Sequence, residues 1–208
     1  MTEQYFQEAI WIAHTLFAKG SASGSSSNIS FRAGNQIYIS GSGTCFGTLT
    51  EEQFACLTIE GEQRNKVKPS KEFPLHQVIY QAKPDIKAVI HTHSFYATLY
   101  SCTVVENPAD VIPSYTPYLK MKVGTIGLVP YAKPGSQQLF SYMRERVLLS
   151  DGYLLKQHGP VVGGKSLMDA FYGIEELEEL SLIHISGDRP FTWRRICKKQ
   201  QNKRAAGF

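Results

Sequence analysis

The chain has 208 residues, 42% of them hydrophobic, which suffices for one substantial core and makes a single domain the default. Its formal charge of +4 owes much to a basic stretch from Arg194 to Arg204, so the body is near neutral: there is no strong case for nucleic acid, and anionic small molecules are the favoured substrates. No apolar run approaches the roughly 20 residues that span a bilayer, and no charged-then-apolar leader opens the chain, so no membrane partner is expected.

The four cysteines, Cys45, Cys56, Cys102 and Cys197, have no C-x-x-C spacing and read as reduced thiols of a cytoplasmic protein. From Gln4 to Ala18 the apolar positions Phe6, Ala9, Ile10, Ala13, Leu16 and Phe17 repeat at helical spacing, and Gly20 supplies the stop. His14 within this helix reads as structural or solvent-facing. A small-residue loop, Ser21 to Asn28, leads into two short strands, Ile29 to Arg32 and Gln36 to Ser40. A second loop, Ser40-Gly41-Ser42-Gly43-Thr44, follows at once. Hydroxyls and open backbone amides in two adjacent loops are what a phosphate cradle needs. The glycine spacing is not that of a dinucleotide site.

Phe54 to Ile59 reads as a strand, and Glu60 to Asn65 as a polar turn. Beyond the Pro69-Ser70 corner, Leu75, Val78, Ile79 and Ala82 predict a helix that ends at Lys83-Pro84-Asp85, which sets Glu72 at or just before its N-terminus. There an acidic residue suits the helix dipole whatever else it does. The apolar run Ile86, Ala88, Val89, Ile90 then delivers His91-Thr92-His93. In an extended strand, alternation puts both imidazoles on one side, as two ligands of a divalent metal would be. The obvious further ligands are Glu72 and, downstream, His158 in Lys156-Gln157-His158-Gly159-Pro160.

Phe95 to Cys102 has helical spacing, whereas Val111 to Tyr118 is too broken by proline for a regular element. Tyrosines in such a loop, here Tyr115 and Tyr118, ordinarily pack with the hydroxyl in water. Gly124 to Val129 predicts a strand, Tyr131 to Gly135 a turn, and Ser136 to Leu149 an amphipathic helix capped by Ser136. Tyr153 to Gln157 and Val161-Val162 place His158 at a strand–turn–strand corner. Leu167 to Ile183 is a long helix whose Glu175, Glu176, Glu178 and Glu179 read as a solvated face, with His184 a cation near its C-terminus. From Ser186 the pattern gives way to a polar, basic tail, so the expected division is 1–186 as the folded domain and 187–208 as the tail.

Three histidines and a glutamate in these settings resemble the class II aldolase/adducin family, over a span from about Ala18 to Ile183. Ser27-Asn28-Ile29-Ser30 resembles the family's Gly-Asn-Val-Ser loop, Ser42-Gly43 its Thr-Gly loop, and Ser70 the first serine of its Pro-Ser-Ser-Glu segment. The resemblance implies an α/β fold: a three-layer α/β/α single domain with a mostly antiparallel central sheet. It implies Zn2+, or another divalent metal, on Glu72, His91, His93 and His158, with Glu72 doubling as catalytic base. It also implies substrate phosphate on Asn28, Ser42, Gly43 and Ser70.

Lys68 to Glu72, Thr116 to Gly124, Pro130 to Gly135 and His158 to Val162 narrow the resemblance to the branch of 3-oxo-tetronate 4-phosphate decarboxylases. Lys71 stands where the sugar-phosphate aldolases have a second serine, and would suit a substrate carboxylate. Ser27 stands where the family has glycine. Tyr118 falls on that branch's proton donor. Relatives are homotetramers with sites near subunit interfaces, so the same is implied here. The alternative is an aldolase or epimerase of L-fuculose-phosphate or L-ribulose-phosphate type. A non-catalytic, adducin-like module is disfavoured, since all four metal ligands are present.

Overall fold

The computed structural model describes residues 2–103 and 108–187. The expected basic tail, and the end of the division at 187–208, lie outside the described residues apart from Gly187. In chain order the elements are α1 (Thr2–Ala18), β1 (Asn28–Ala33), β2 (Gln36–Ser40), two 3-10 turns, β3 (Phe54–Thr58), α2 (Phe73–Ala82), β4 (Ala88–His91) and α3 (Phe95–Thr103). Then follow α4 (Tyr118–Lys122), β5 (Ile126–Val129), α5 (Gln137–Arg146), β6 (Gly152–Leu155), β7 (Gly159–Gly164) and α6 (Leu167–Gly187).

Seven strands form one sheet in the order β3-β2-β1-β4-β7-β6-β5. Only β5 and β6 run parallel; every other neighbouring pair is antiparallel. Both faces are covered, because the central strands are apolar on both sides. Ile29, Phe31, Ala88, Ile90 and Val162 face a core shared with α1 and α6. Val89, Val161, Leu155 and Ile37 face a second core shared with α2 and α5. This is the expected three-layer α/β/α arrangement.

The two sides of the sheet decide where polar side chains go. Along β1, Ile29 and Phe31 point into the first core, so alternation turns Asn28 and Ser30 toward α2. Along β4, Val89 lies in the second core, so His91 faces α2 as well. The register pairs Asn28 with His91, and Ser30 with Ile39. The start of β1, the end of β2 and the end of β4 therefore meet at one end of the sheet.

Several elements depart from expectation. The α5 helix keeps its Ser136 cap, which accepts from the Leu139 amide at 3.3 Å, but ends at Arg146. Tyr118 opens the short helix α4 where the proline pattern predicted only loop. The glutamates of α6 are not a free surface. Glu178 accepts the first amides of α3, from Tyr96 at 2.9 Å and Ala97 at 2.8 Å, and Glu175 pairs with Lys19. His184 lies in the last turn of α6 as expected, but buried: it is 2% exposed, and its Nε2–H donates to the Pro113 carbonyl at 2.7 Å. His14 is exposed, with its ring 3.1 Å from the Leu49 carbonyl.

Candidate metal centre

Glu72 is the N-cap residue of α2, yet its side chain caps nothing. Ser70 holds the corner: its Oγ accepts from the Glu72 amide at 3.3 Å, and its carbonyl accepts from Phe73 at 3.0 Å. Pro74 at the start of the helix removes an amide that would otherwise seek a partner. Burial of Leu75, Val78 and Ile79 against the sheet, each side chain contributing about 1.5–3 kcal/mol, anchors α2 and so the glutamate. The carboxylate is thereby turned inward, toward the end of β4.

His91 is the last residue of β4, and His93 lies beyond the strand. The two rings converge, with centroids 5.1 Å apart, and the Thr92 amide still donates to the Pro160 carbonyl of β7 at 3.3 Å. His158 comes from the tight β6–β7 connection. There Gln157 has a φ of 58°, and a Cβ on Gly159 would stand 2.2 Å from the Thr92 carbonyl oxygen. Only glycine lets the His158 turn lie against the His91–His93 segment.

Glu72, His91, His93 and His158 each offer one ligand atom, all within 4.8 Å of one another. Glu72 Oε2 is 3.3 Å from His91 Nε2, and Oε1 is 3.4 Å from His158 Nε2. The His91 Nδ1–H donates to the Pro160 carbonyl at 2.8 Å, which leaves the Nε2 lone pair facing the cluster. Two imidazole Nε2 atoms, those of His91 and His158, face each other at 3.3 Å. Glu72 Oε1 and His93 Nε2 are buried and make no hydrogen bond. Buried imidazole lone pairs aimed at one another beside a carboxylate are a donor set suited to a divalent metal, and the cluster could hold one.

The electrostatics agree with that use. Burial pushes the Glu72 carboxyl up, but the His91 hydrogen bond and the charges of His91, His158 and His93 outweigh it and hold the group at about 2. Burial, reinforced by the charge of His91, pushes His93 down to about 4 and His158 down to about 3. The carboxylate is ionised and these two imidazoles are neutral at pH 7, which is the state metal ligands require.

Behind the ligands lies a buried polar chain that sequence reasoning missed. Asn28 Nδ2 donates to Glu72 Oε2 at 3.3 Å, and Asn28 Oδ1 is 2.5 Å from His76 Nε2. His76 Nδ1 is 2.7 Å from Ser30 Oγ, which is 2.7 Å from the Tyr80 hydroxyl. The signal was there: Glu72, His76 and Tyr80 recur every fourth residue on α2.

The residues expected at the phosphate separate into two groups. Ser42 and Gly43 are exposed, and the Ser42 amide donates to the Lys68 carbonyl at 2.8 Å, which joins the Ser42-Gly43 loop to the Lys68–Ser70 segment. Asn28, in contrast, is buried with its side chain engaged by Glu72 and His76. Lys71 is exposed, its stem against the Tyr131–Gly135 turn, where a Cβ on Gly135 would stand 3.0 Å from it. Its ammonium is near enough to help push His93 and His158 down. Tyr118 is 56% exposed, and Tyr115 and Met121 are exposed as well. Among the described helices none is long and apolar enough to cross a membrane.

The family model for the Class II Aldolase and Adducin N-terminal domain matches residues 7–185. The chain is 38% identical to a 3-oxo-tetronate 4-phosphate decarboxylase of Escherichia coli (strain K12), over 90% of this chain and 89% of that protein. It is 34% identical to an L-fuculose phosphate aldolase of Methanococcus maripaludis (strain C7), over 84% of this chain and 93% of the aldolase. The fold matches that of YgbL from Klebsiella pneumoniae, described as a putative aldolase/epimerase/decarboxylase, with a TM-score of 0.85 and 36% identity, covering 90% of this chain and 91% of that one.

Proposed function

Because the chain belongs to the class II aldolase and adducin family, we propose that it is a metal-dependent lyase that decarboxylates 3-oxo-tetronate 4-phosphate to dihydroxyacetone phosphate and CO2. The carrying observation is the convergence of Glu72, His91, His93 and His158 within 4.8 Å, in a chain 38% identical to decarboxylases of that name over 90% of its length.

A 3-oxo acid loses CO2 readily when the electron pair left on C2 can pass into the C3 carbonyl. A divalent metal, when bound, supplies that electron withdrawal as a Lewis acid. His91, His93, His158 and Glu72 would hold it, and a histidine-rich set with one carboxylate suits zinc. Glu72 would take the C2 hydroxyl proton and return it to the same oxygen once C2 has been protonated. Tyr118 would deliver a proton to C2, a general-acid contribution of about 10²–10⁴-fold. Lys71, beside the histidines, would pair with the substrate carboxylate, which stays close until it departs as CO2. Ser42, Gly43 and Ser70 would receive the phosphate on hydroxyls and amides of their joined loops. Asn28 would serve there only through its backbone, since its side chain is committed to Glu72 and His76.

The proposal extends to a cytoplasmic homotetramer with a folded domain over 1–186 and a basic tail over 187–208. Exposure of Phe95, Tyr118 and Met121 supports an interface that carries Tyr118 to a neighbouring subunit's site. The deciding experiment is metal analysis followed by a CO2-release assay on the 3-oxo acid phosphate. Chelator-sensitive CO2 release is expected. Cleavage of L-fuculose 1-phosphate or epimerisation of L-ribulose 5-phosphate without CO2 would overturn the proposal.

A further inference from the structure

The α2 helix lies over β1 so that two periodicities coincide. Glu72, His76 and Tyr80 are four residues apart, about 6 Å per step along a helix; Asn28 and Ser30 are two apart, about 6.6 Å along a strand. The five side chains interleave as one unbranched chain, Glu72–Asn28–His76–Ser30–Tyr80, between the helix and the sheet. Asn28, Ser30, His76 and Tyr80 are all buried.

The direction of every bond in this chain follows from its first member. The Glu72 carboxylate only accepts, so Asn28 must turn its NH2 toward it and its Oδ1 toward His76. His76 must then carry its proton on Nε2. Its Nδ1 is left to accept from the Ser30 hydroxyl, which in turn accepts from Tyr80. Full burial, with the charge of His91 adding to it and that of Glu72 opposing it, pushes His76 down to about 3. The ring is therefore neutral at pH 7, as this pattern requires.

We propose that His76 is a positioning residue for the metal centre: held as its Nε2–H tautomer by Ser30 and Tyr80, it locks the Asn28 amide so that an N–H donor, not the carbonyl oxygen, faces Glu72 Oε2. This rests on the reading of Glu72 as a metal ligand. Without the imidazole donor Asn28 Oδ1 loses its partner, the amide is anchored at one end only, and its N–H no longer holds Glu72 Oε2 in one place. With the donor in place, Glu72 has one fixed orientation while it ligates.

The test uses the full-length protein and cobalt(II) alone, with no substrate. Cobalt affinity and the visible absorption of bound cobalt are measured for the wild type and for His76→Gln, His76→Leu and Ser30→Ala. Gln presents an N–H where Nε2 stood, and is expected to bind within about 2-fold of the wild type with the same spectrum. His76→Leu is expected to bind about 10-fold more weakly, the scale typical of lost outer partners, with an altered absorption band as the carboxylate loses its fixed orientation. Ser30→Ala keeps the ring but frees its tautomer, and changes the spectrum in the same sense. A purely structural role predicts equal behaviour of the Gln and Leu variants. Equal cobalt affinities and spectra for these two variants, or an unaltered spectrum for folded Ser30→Ala, would overturn the proposal. A wild type that binds no cobalt would overturn the metal reading itself, and the proposal with it.

Discussion

The Thr92 carbonyl oxygen occupies the space a Cβ on Gly159 would need, at 2.2 Å, and this contact lets the His158 turn close onto the His91–His93 segment. Backbone cannot retreat as a flexible side-chain end can, so Gly159→Ala forces the two segments apart. The expected result is destabilisation by about 1–3 kcal/mol in urea unfolding, together with loss of metal affinity. A Gly159→Ala protein with wild-type metal content would contradict the stated reason for glycine here.

The four-residue cluster predicts that His91→Ala abolishes metal retention while the protein stays folded, since His91 itself belongs to neither hydrophobic core. Metal content by elemental analysis should fall below stoichiometry. CO2 release should fall by at least about 10²-fold, the low end for losing the metal's contribution. Chelation of the wild type should mimic the substitution, and added divalent metal should restore only the wild type.

Tyr118 sits exposed at the start of α4, with no side-chain hydrogen bond among the described residues. Tyr118→Phe should retain the metal and lose about 10²–10⁴-fold in turnover. If the hydroxyl serves a neighbouring subunit, mixing denatured Tyr118→Phe and His91→Ala proteins and refolding them together regenerates complete sites, and activity returns. Absence of any recovery in mixed, assembled protein would place the tyrosine within its own subunit's site or outside catalysis.

His76 titrates well below its ordinary 6.5 in the folded protein, at about 3, chiefly through burial. Between those values the unfolded chain binds a proton that the folded chain does not. Its contribution to stability is therefore fully present above about pH 6.5 and declines as pH falls toward 3, with a slope of up to about 1.4 kcal/mol per pH unit. In the metal-free protein, His76→Gln should flatten this acid limb by about one proton, read from urea midpoints at a series of pH values. An unchanged slope would mean that the ring is not held neutral.

Glu178 reaches from α6 to the first amides of α3, the helix that follows the His93 segment. Glu178→Ala leaves Tyr96 and Ala97 without that acceptor and should cost about 1–2 kcal/mol. Glu179→Ala, one residue on and exposed, should cost less than about 0.5 kcal/mol. Equal effects of the two in thermal unfolding would restore the picture of a uniformly solvated acidic face.

Much of this protein was legible from order along the chain. Helical and strand periodicities located α1, α2, α5, α6 and most strands, because side-chain burial imposes them locally. The four residues that could hold a metal were readable too: an H-x-H after an apolar run, a His-Gly corner and a glutamate at a helix start are local patterns with a chemical reason. What one-dimensional order lacks is the partner across the sheet. Glu178 looked like one of four solvated charges until α3 supplied two amides. His184 was placed correctly in the last turn of α6, but its partners were not readable: Pro113 accepts its Nε2–H, and the Tyr115 ring stacks on it at 4.2 Å. Asn28 looked like a loop residue until the pairing of β1 with β4 set it beside His91 and under α2.

By itself, then, the order of residues determined which groups could ligate a metal and which faces had to be buried, since both follow from neighbours within a few positions. The tertiary structure decided which polar groups would spend their hydrogen bonds on one another. That choice depends on distances between segments dozens of residues apart, and only the packing of α2 on the sheet makes them small.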